Sequence, residues 1–202
     1  GADEKVTAMI RVPEFGTEKL YLCMLTKNGV IKRTELDAYK NVRKNGIFAI
    51  NLDEGDELRY VKLTDGEKQI LIATRKGMCI SFNENDARCI GRTARGVKAI
   101  TLSEGDEIAG MCVPEENKKV LTVSETGFGR RSEYHTETYA DVAAVAMVGE
   151  DEDVIMISSD GIIIRSPAKD ISVFARPSKG VRVMKTNEGE KVATLSITEH
   201  ET

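Results

Sequence analysis

The chain repeats one short phrase four times: an apolar run, a turn glycine and then basic residues. The turn glycines are Gly29, Gly77, Gly127 and Gly161, and the first three lie 48 and 50 residues apart. A period of this length is typical of proteins in which each repeat is one supersecondary unit that buries its apolar face by stacking on its neighbours. The sequence therefore predicts a repeat fold, and it directs the search for function to the recurring basic residues.

The segments around the turn glycines have the pattern of β-strands. Asn28-Gly29 and Asp160-Gly161 favour tight hairpins, because these residue types accept positive φ. No apolar pattern of helical period is long enough for an α-helix, and we expect only one helical turn each in residues 35–45 and 83–92. Strands are predicted, from alternation or from continuous apolar sequence, at Val6–Ile10, Leu20–Met24, Ile70–Ile72, Val120–Val123 and Val154–Ile157.

Each repeat has two further landmarks. Gly46, Gly96 and Gly180 follow a basic cluster and introduce another strand, and acidic turns at 54–56, 104–106 and 188–190 close the repeat. Each repeat is therefore expected to hold four strands and to form one antiparallel blade of an all-β, propeller-like fold. We predict a single domain over residues 3–202, with blades at about 4–55, 56–105, 106–139 and 140–198.

The third repeat is shorter than the others by roughly 15 residues and breaks the pattern after Tyr139. It lacks a basic-glycine cluster and a strand. We interpret the break as a mobile basic loop that the printed sequence omits. The alternative is a degenerate blade, which would leave unpaired backbone at a sheet edge. An intact mass of 22.2 kDa would contradict the omission.

Charge and cysteine content restrict the class of protein. The chain has 29 basic and 33 acidic residues and a formal net charge of −4, so a site for an anionic partner must be local. No apolar stretch approaches the roughly 18 to 20 residues that span a bilayer. The four cysteines have no CxxC spacing, and we predict free thiols in a reducing cytosol, with no metal site and no cofactor.

Four segments carry a specific resemblance to a known family. GVIKRTELDAYKNVRKNGIFAINLDEGDEL, ISFNENDARCIGRTARGVKAITLSEGDEI, GFGRRSEY and IIIRSPAKDISVFARPSKGVRVM resemble the C-terminal domain of bacterial DNA gyrase A, in order, over nearly all of residues 4–198. The related domain of topoisomerase IV is the nearest alternative. The resemblance implies a β-pinwheel, usually a ring of six four-stranded blades whose basic outer edge wraps DNA, of which this chain would hold four.

The resemblance also implies a cellular setting. The partners would be duplex DNA, the remainder of gyrase A and the gyrase B protein, without a membrane, and the location would be the bacterial cytoplasm, associated with the nucleoid. The catalytic tyrosine and the ATP-binding machinery of this ATP-dependent type IIA topoisomerase have no match in the sequence, so we predict no catalytic residue. The family's signature basic-glycine heptapeptide is also absent.

The candidate DNA-binding residues are the basic residues that recur at one phase of the repeat. A curved row of equivalent basic residues suits a DNA duplex that is bent without recognition of its base sequence. A glycine beside these residues lets a phosphate approach the backbone. If these basic residues served only to solvate the surface, they would have no reason to recur at the same position of each repeat. The residues are Lys32, Arg33, Arg43, Lys44, Arg92, Arg95, Arg130, Arg131, Arg165, Arg176 and Lys179.

Two other classes of function remain open from the residues alone. A propeller-like protein-interaction scaffold would agree with the acidic balance. An enzyme with a central active site has no supporting serine–histidine–acid set, metal cluster or phosphate loop. The few aromatic residues are not interleaved with the basic ones, which disfavours binding of single strands.

Overall fold

The structure, a computed structural model, describes residues 6–134, 142–174 and 180–200. The secondary structure of these residues is all-β, as the sequence predicts, apart from three 3₁₀-helices at Leu36–Tyr39, Glu84–Asp86 and Ala168–Asp170. The strands are β1 Tyr21–Thr26, β2 Val30–Glu35, β3 Leu58–Thr64, β4 Gln69–Thr74, β5 Cys79–Asn83, β6 Val97–Lys98, β7 Ile108–Cys112, β8 Lys119–Ser124, β9 Phe128–Ser132, β10 Val142–Val148, β11 Glu152–Ser158, β12 Ile163–Pro167, β13 Val181–Arg182 and β14 Val192–Glu199.

The chain divides into two compact units. The first consists of residues 1–70 and 82–108, and the second of residues 71–81 and 109–202. None of the helices in the described ranges has both the length and the apolar character that a membrane crossing requires. The prediction of one domain over residues 3–202 stays a prediction.

The first unit contains a four-stranded antiparallel sheet in the order β3-β1-β2-β6. The hairpin of β1 and β2 turns at Gly29, which has a φ of +81° and confirms the predicted turn. Leu22 and Met24 of β1 pack with Leu36 and Tyr39 of the following 3₁₀-helix to form the core of this unit.

Most of the sheet β5-β4-β7 and all of two further sheets belong to the second unit. One of these is four-stranded, in the order β10-β8-β9-β13, and the other is three-stranded, in the order β12-β11-β14. Leu121, Val123, Val154 and Met156 are buried together in the core of this unit. The predicted strands at 120–123 and 154–157 are confirmed; the first is buried throughout, whereas the second has Ile155 and Ile157 only partly buried.

The strands of one sheet come from more than one predicted repeat. In both four-stranded sheets the central hairpin belongs to one repeat, whereas the two outer strands belong to the next: β3 and β6 flank β1 and β2, and β10 and β13 flank β8 and β9. The expectation of four consecutive strands in each blade is therefore wrong for these two sheets. A lone hairpin leaves two unpaired edges, and strands supplied by the next repeat satisfy both of them.

Two local expectations have different outcomes. Val6–Ile10 is not a strand, and Val6 and Met9 are more than nine-tenths exposed, so alternation alone misled the prediction there. The predicted single turns in residues 35–45 and 83–92 are confirmed by 3₁₀-helices. The break after Tyr139 lies outside the described residues and stays a prediction.

Candidate nucleic-acid interface

Lys32, the first predicted DNA-binding residue, points into the first unit. Its side chain is fully buried in β2, and its Nζ donates hydrogen bonds to the Ala49 carbonyl at 2.6 Å and to the Arg92 carbonyl. Burial, reinforced by the nearby charge of Arg92, lowers the pKa of the Lys32 amine from 10.5 to about 8. The amine therefore links two loops of adjacent repeats instead of meeting a phosphate.

Arg33 is buried on the same strand and pairs with a buried carboxylate. Its Nη1 lies 3.3 Å from Glu84 Oε2 and 2.8 Å from Asn85 Oδ1, and the guanidinium stacks 4.6 Å from the centre of the Tyr21 ring. Glu84 also accepts hydrogen bonds from the Thr64 hydroxyl at 2.6 Å and from the Gly66 and Lys68 amides, both at 2.9 Å. The donors around Glu84 offset the cost of burying both charges.

Arg130 and Arg131 occupy the corresponding places in the second unit. Both are buried on β9, and Arg131 Nε donates to the Ile171 carbonyl at 2.6 Å. A parallel bridge joins Arg131 to Val173, as another joins Arg33 to Cys89 in the first unit. The two repeats therefore use their arginine in the same internal way.

The assignment of Lys32, Arg33, Arg130 and Arg131 to a DNA-binding edge needs correction. Each is buried on the second strand of a hairpin whose outer side is covered by a strand and a loop of the next repeat, and the side chains of Lys32, Arg33 and Arg131 donate internal hydrogen bonds. A signal for this burial exists in the sequence. The position of Lys32 and Arg130, three residues past the turn glycine, is occupied by Ile80 and Ile164 in the other repeats.

Arg165 is only partly available. It lies on β12, the edge strand of its sheet, with 38% of the side chain exposed. Its Nε donates to Asp153 Oδ2 at 2.7 Å, and its Nη2 donates to the Glu199 carbonyl at 3.0 Å. This arginine holds the C-terminal strand and presents the remainder of its charge to solvent.

Arg43 and Lys44 lie in a turn on the surface of the first unit. Both are exposed, and neither makes an ion pair with any residue in the described part of the chain. The Gly46 amide donates to the Arg43 carbonyl at 2.9 Å, and Gly46 has a φ of +76°, which closes the turn.

Arg92 and Arg95 lie on the next repeat, in a loop that hydrogen-bonds the segment following this turn. Arg92 is half-buried and donates to the Phe48 carbonyl at 3.2 Å, and the Asn51 amide donates to the Ala94 carbonyl at 3.1 Å. We call residues 43–51 and 92–96 the paired basic loops. Lys32 Nζ donates to one carbonyl of each loop, Ala49 in the first and Arg92 in the second, and so links them.

Asp53 limits the positive charge of the paired basic loops. Its carboxylate accepts two hydrogen bonds from Arg95 Nε, at 2.5 and 2.7 Å, and both side chains remain about half exposed. The hydrogen bonds and the charge of Arg95 hold the pKa of Asp53 below its ordinary value. A phosphate contacting Arg95 would therefore compete with this carboxylate, whereas the described residues place no such competitor beside Arg43 or Lys44.

Two exposed basic residues were missed by the sequence reasoning. Lys98 on β6 and Arg182 on β13 have the same place in their sheets, opposite Val30 and Phe128, and Arg182 stacks 4.7 Å from the centre of the Phe128 ring. Both lie two residues past the second glycine of the repeat, so the periodicity that identified the basic clusters could have identified them. Phe48 occupies the same position in the first repeat.

Two of the predicted DNA-binding residues, Arg176 and Lys179, lie outside the described residues and stay predictions. Within the described ranges, no group of three or more His, Cys, Asp or Glu side chains is placed to hold a metal ion.

Hairpins that share their outer strands with the next repeat, together with basic clusters at one phase, define a repeat protein of the β-propeller class. The chain matches the family described as DNA gyrase C-terminal domain, beta-propeller, over residues 20–65, 68–111 and 152–199. These segments make up more than half of the sequence, and the chain belongs to this family.

Curated relatives agree with this assignment. The chain is 44% identical to the DNA gyrase A protein of Halalkalibacterium halodurans and 46% identical to that of Clostridium acetobutylicum, each over 211 residues that take in 96% of this chain. The chain spans 25% of the length of each of these relatives.

Solved structures share the fold at lower sequence identity. The C-terminal domain of DNA topoisomerase IV matches with a TM-score of 0.87 at 24% identity, covering 98% of this chain and 67% of that one. The DNA gyrase A C-terminal domain matches with a TM-score of 0.77 at 24% identity, covering 90% of this chain and 66% of that one. These likenesses support the β-pinwheel architecture.

Proposed function

We propose that this chain is a non-catalytic module that binds duplex DNA and bends it along a basic surface. The observation that carries the proposal is the paired basic loops, which belong to two successive repeats, are hydrogen-bonded to each other and present Arg43, Lys44 and Arg95 to solvent. Membership of a gyrase family supports a role in DNA supercoiling over the alternative of a protein-interaction scaffold.

The local concentration of cations explains how a chain of net charge −4 can bind a polyanion. Each lysine or arginine that neutralises a phosphate releases condensed counterions, so binding is favourable at low salt and tolerant of sequence. Contacts of this kind position a duplex without reading its bases. The proposed function therefore needs exposed cations in a regular array and no particular base-reading side chain.

The outer strands carry further cations beyond the loops. Lys98 on β6 follows the loop that contains Arg92 and Arg95, and Arg182 has the same place on β13 of the second unit. Gly96 and Gly180 bring these strands close to their hairpins, since an added Cβ would lie 2.6 Å from the Ile31 carbonyl oxygen and 2.2 Å from the Gly129 carbonyl oxygen, respectively. The cations are thus carried on hydrogen-bonded strands, and a bound duplex would meet pre-ordered contacts.

In the cell, the module would act with the remainder of gyrase A and with the gyrase B protein. Strand cleavage and ATP hydrolysis would belong to those parts, and this chain would supply the DNA geometry. The assignment to gyrase, in preference to topoisomerase IV, is supported by the 44% and 46% identity to gyrase A relatives over 96% of this chain.

A salt titration with charge-reversal variants tests the proposal. The logarithm of the binding constant should fall linearly with the logarithm of salt, with a slope of about −0.9 per phosphate neutralised. We expect Arg43→Glu/Lys44→Glu to make this slope shallower by about two and Arg92→Glu/Arg95→Glu by about one, since each exposed cation that is lost leaves one phosphate without its neutralising contact and Arg92 is half-buried.

A matched control separates local contacts from net charge. Lys68 is exposed and ion-paired with Asp65, much as Arg95 is paired with Asp53, and Arg59 is paired with Glu57. The double variant Arg59→Glu/Lys68→Glu changes net charge equally and should leave the slope within about half a unit of the original. Equal losses in all three double variants would indicate a diffuse charge effect and would contradict the proposed interface.

The bending of DNA needs a topological measurement. Nicked circular DNA ligated in the presence of the protein should show a shift in linking number that disappears with Arg43→Glu/Lys44→Glu. Salt-dependent binding without such a shift would limit the function to binding. Binding that is insensitive to salt would favour the scaffold alternative.

A further inference from the structure

The ion pair of Asp53 and Arg95 joins two successive repeats within the first unit. Arg95 Nε donates to both carboxylate oxygens of Asp53, at 2.5 and 2.7 Å, and Arg95 Nη2 donates to Asp53 Oδ2. The carboxylate thus occupies one edge of the guanidinium, the kind of edge to which a phosphate presents two free oxygens. Because 46% of the Asp53 side chain and 55% of the Arg95 side chain are exposed, a phosphate can reach the pair from solvent.

The paired basic loops are held together without this ion pair. Other hydrogen bonds join the two loops to each other or to Lys32: those from Lys32 to Ala49 and Arg92, from Arg92 to Phe48, and from Asn51 to Ala94. Each of them ends on a backbone carbonyl, whereas an exposed ion pair contributes little to stability. A role for Asp53 in joining the loops would therefore be redundant.

The negative charge at position 53 is not required by the turn in which it lies. Seven residues past the second glycine of the repeat, where the first repeat has Asp53, two other repeats have the neutral residues Ser103 and Asn187. The carbonyls of all three residues accept a hydrogen bond from the amide three residues later, at 3.0–3.1 Å. The same turn therefore forms with and without a carboxylate at this position, and the charge of Asp53 needs another explanation.

Asp56 of the same turn has a different, structural task. Its side chain is buried, and its Oδ1 accepts hydrogen bonds from the Asn28 amide at 3.0 Å and from the Glu57 amide at 2.8 Å. This carboxylate fastens the turn to the tip of the first hairpin. Asp53 is the carboxylate of this turn that an incoming phosphate would displace from Arg95.

We propose that Asp53 is a displaceable competitor of DNA phosphate, which holds Arg95 in the free protein and is exchanged for a phosphodiester when a duplex binds. The inference rests on the proposed function and adds the control of one of its contacts. A small anion in solution must compete with a carboxylate that the fold keeps beside Arg95 at a high effective concentration. A duplex already held by Arg43 and Lys44 of the linked loop presents its further phosphates at a comparable effective concentration. The exchange therefore favours a continuous row of phosphates over isolated anions.

Asp53→Asn tests the exchange, because it gives the first repeat the neutral residue that the last repeat has at Asn187. Binding of the full chain to a fluorescently labelled duplex is measured by anisotropy over a series of salt concentrations. Loss of the competitor should tighten binding by about two- to fivefold, as expected for release of an exposed ion pair. The slope of the logarithm of the binding constant against the logarithm of salt should stay within about half a unit, because Arg95 neutralises one phosphate in both proteins.

Two further variants separate the competitor from general charge effects. Asp65→Asn changes the net charge equally, and Asp65 is likewise exposed and ion-paired, with Lys68. It should change duplex binding by less than about 1.5-fold, because screening by salt weakens the influence of distant charges. Asp53→Glu keeps a carboxylate beside Arg95 and should bind duplex less tightly than Asp53→Asn.

Three results would overturn the inference and leave the proposed function intact. Weaker or unchanged binding by Asp53→Asn would mean that the carboxylate orients Arg95 for DNA or has no influence on it. Tighter binding with a slope steeper by about 0.9 would mean that the ion pair stays closed when the wild type binds DNA. An equal gain from Asp65→Asn would assign the effect to net charge. Wild-type binding that does not depend on salt would instead contradict the proposed function and this inference together.

Discussion

Lys32→Met tests whether this lysine is an internal tether. The substitution keeps much of the side-chain volume but removes the amine that hydrogen-bonds the Ala49 and Arg92 carbonyls. Met also carries no charge into the buried site, so the pH-dependent cost of burying the amine is absent from the variant.

The magnitude follows from the lowered pKa. Between pH 8 and 10.5 the unfolded chain keeps a proton on Lys32 that the folded chain has already released. The free energy of unfolding therefore rises with pH over this interval, by about 1.4 kcal/mol per pH unit, or about 3 kcal/mol in total. The rise should occur in the wild type and be missing in Lys32→Met.

Urea unfolding at several values between pH 7 and 10.5, with reducing agent present, measures the effect as a difference between the two proteins. Burial raises the pKa of the Cys23 thiol to about 11 and also raises that of Tyr39, so both groups oppose stability at alkaline pH. Both groups are present in both proteins, and their contributions cancel in the difference.

Lys68→Met is the control, because the hydrogen bond and the charge of Asp65 raise the pKa of exposed Lys68. The stability that this pair supplies is fully present below pH 10.5, so the wild type should gain nothing over Lys68→Met between pH 7 and 10.5. A difference between wild type and Lys32→Met that stays flat with pH would refute the reasoning. So would a shallower salt slope of DNA binding in Lys32→Met, since an internal tether makes no phosphate contact.

Three further perturbations have expected outcomes. Glu84→Ala should lower the free energy of unfolding by about 3–5 kcal/mol in urea titrations, because it leaves the buried guanidinium of Arg33 without its carboxylate. Gly96→Ala should cost about 1–3 kcal/mol more than Gly55→Ala, since Gly55 also has a positive φ but no neighbour that a Cβ would strike. Asp153→Asn should flatten the fall in melting temperature between pH 5 and 3. Burial alone would raise the pKa of Asp153, but the hydrogen bonds from His200 and Arg165 outweigh burial and lower this pKa below its ordinary value. The stability that these hydrogen bonds supply is therefore lost as the pH falls through the lowered pKa. An unchanged acid profile in that variant would contradict the pairing.

The hairpins were predictable from sequence because their signals are local. An asparagine–glycine or aspartate–glycine pair between apolar runs specifies a turn through the φ angles it permits, and Gly29 and Gly161 both have positive φ. The exchange of strands between repeats was not predictable in this way. β6 and β13 are two residues long, too short for a periodic pattern, and β6 pairs with a strand more than 60 residues earlier in the chain.

The candidate site was predictable only in part, because a recurring basic residue marks an equivalent position in each repeat but does not show whether a neighbouring segment buries that residue. Arg43, Lys44 and Arg95 are exposed as expected, but Lys32 and Arg33 are buried by segments of the next repeat that sequence reasoning had placed elsewhere. A lysine inside a sheet is stable only when carbonyls meet its amine, and those carbonyls come from loops whose position depends on the tertiary fold.

The shared strands also affect how the chain folds during its synthesis. β2 ends at Glu35, whereas its outer neighbour β6 ends at Lys98, so the ribosome must add 63 residues before the first sheet can be completed. At 5–20 residues per second this takes about 3–13 seconds, and the hairpin of β4 and β5 emerges in the interval. Until Arg92 has been synthesised, the Lys32 amine can donate to the Ala49 carbonyl but not to its second acceptor, the Arg92 carbonyl. The nascent first repeat therefore has to wait for the second, and a chaperone or a stalled ribosome would encounter it with one edge still open.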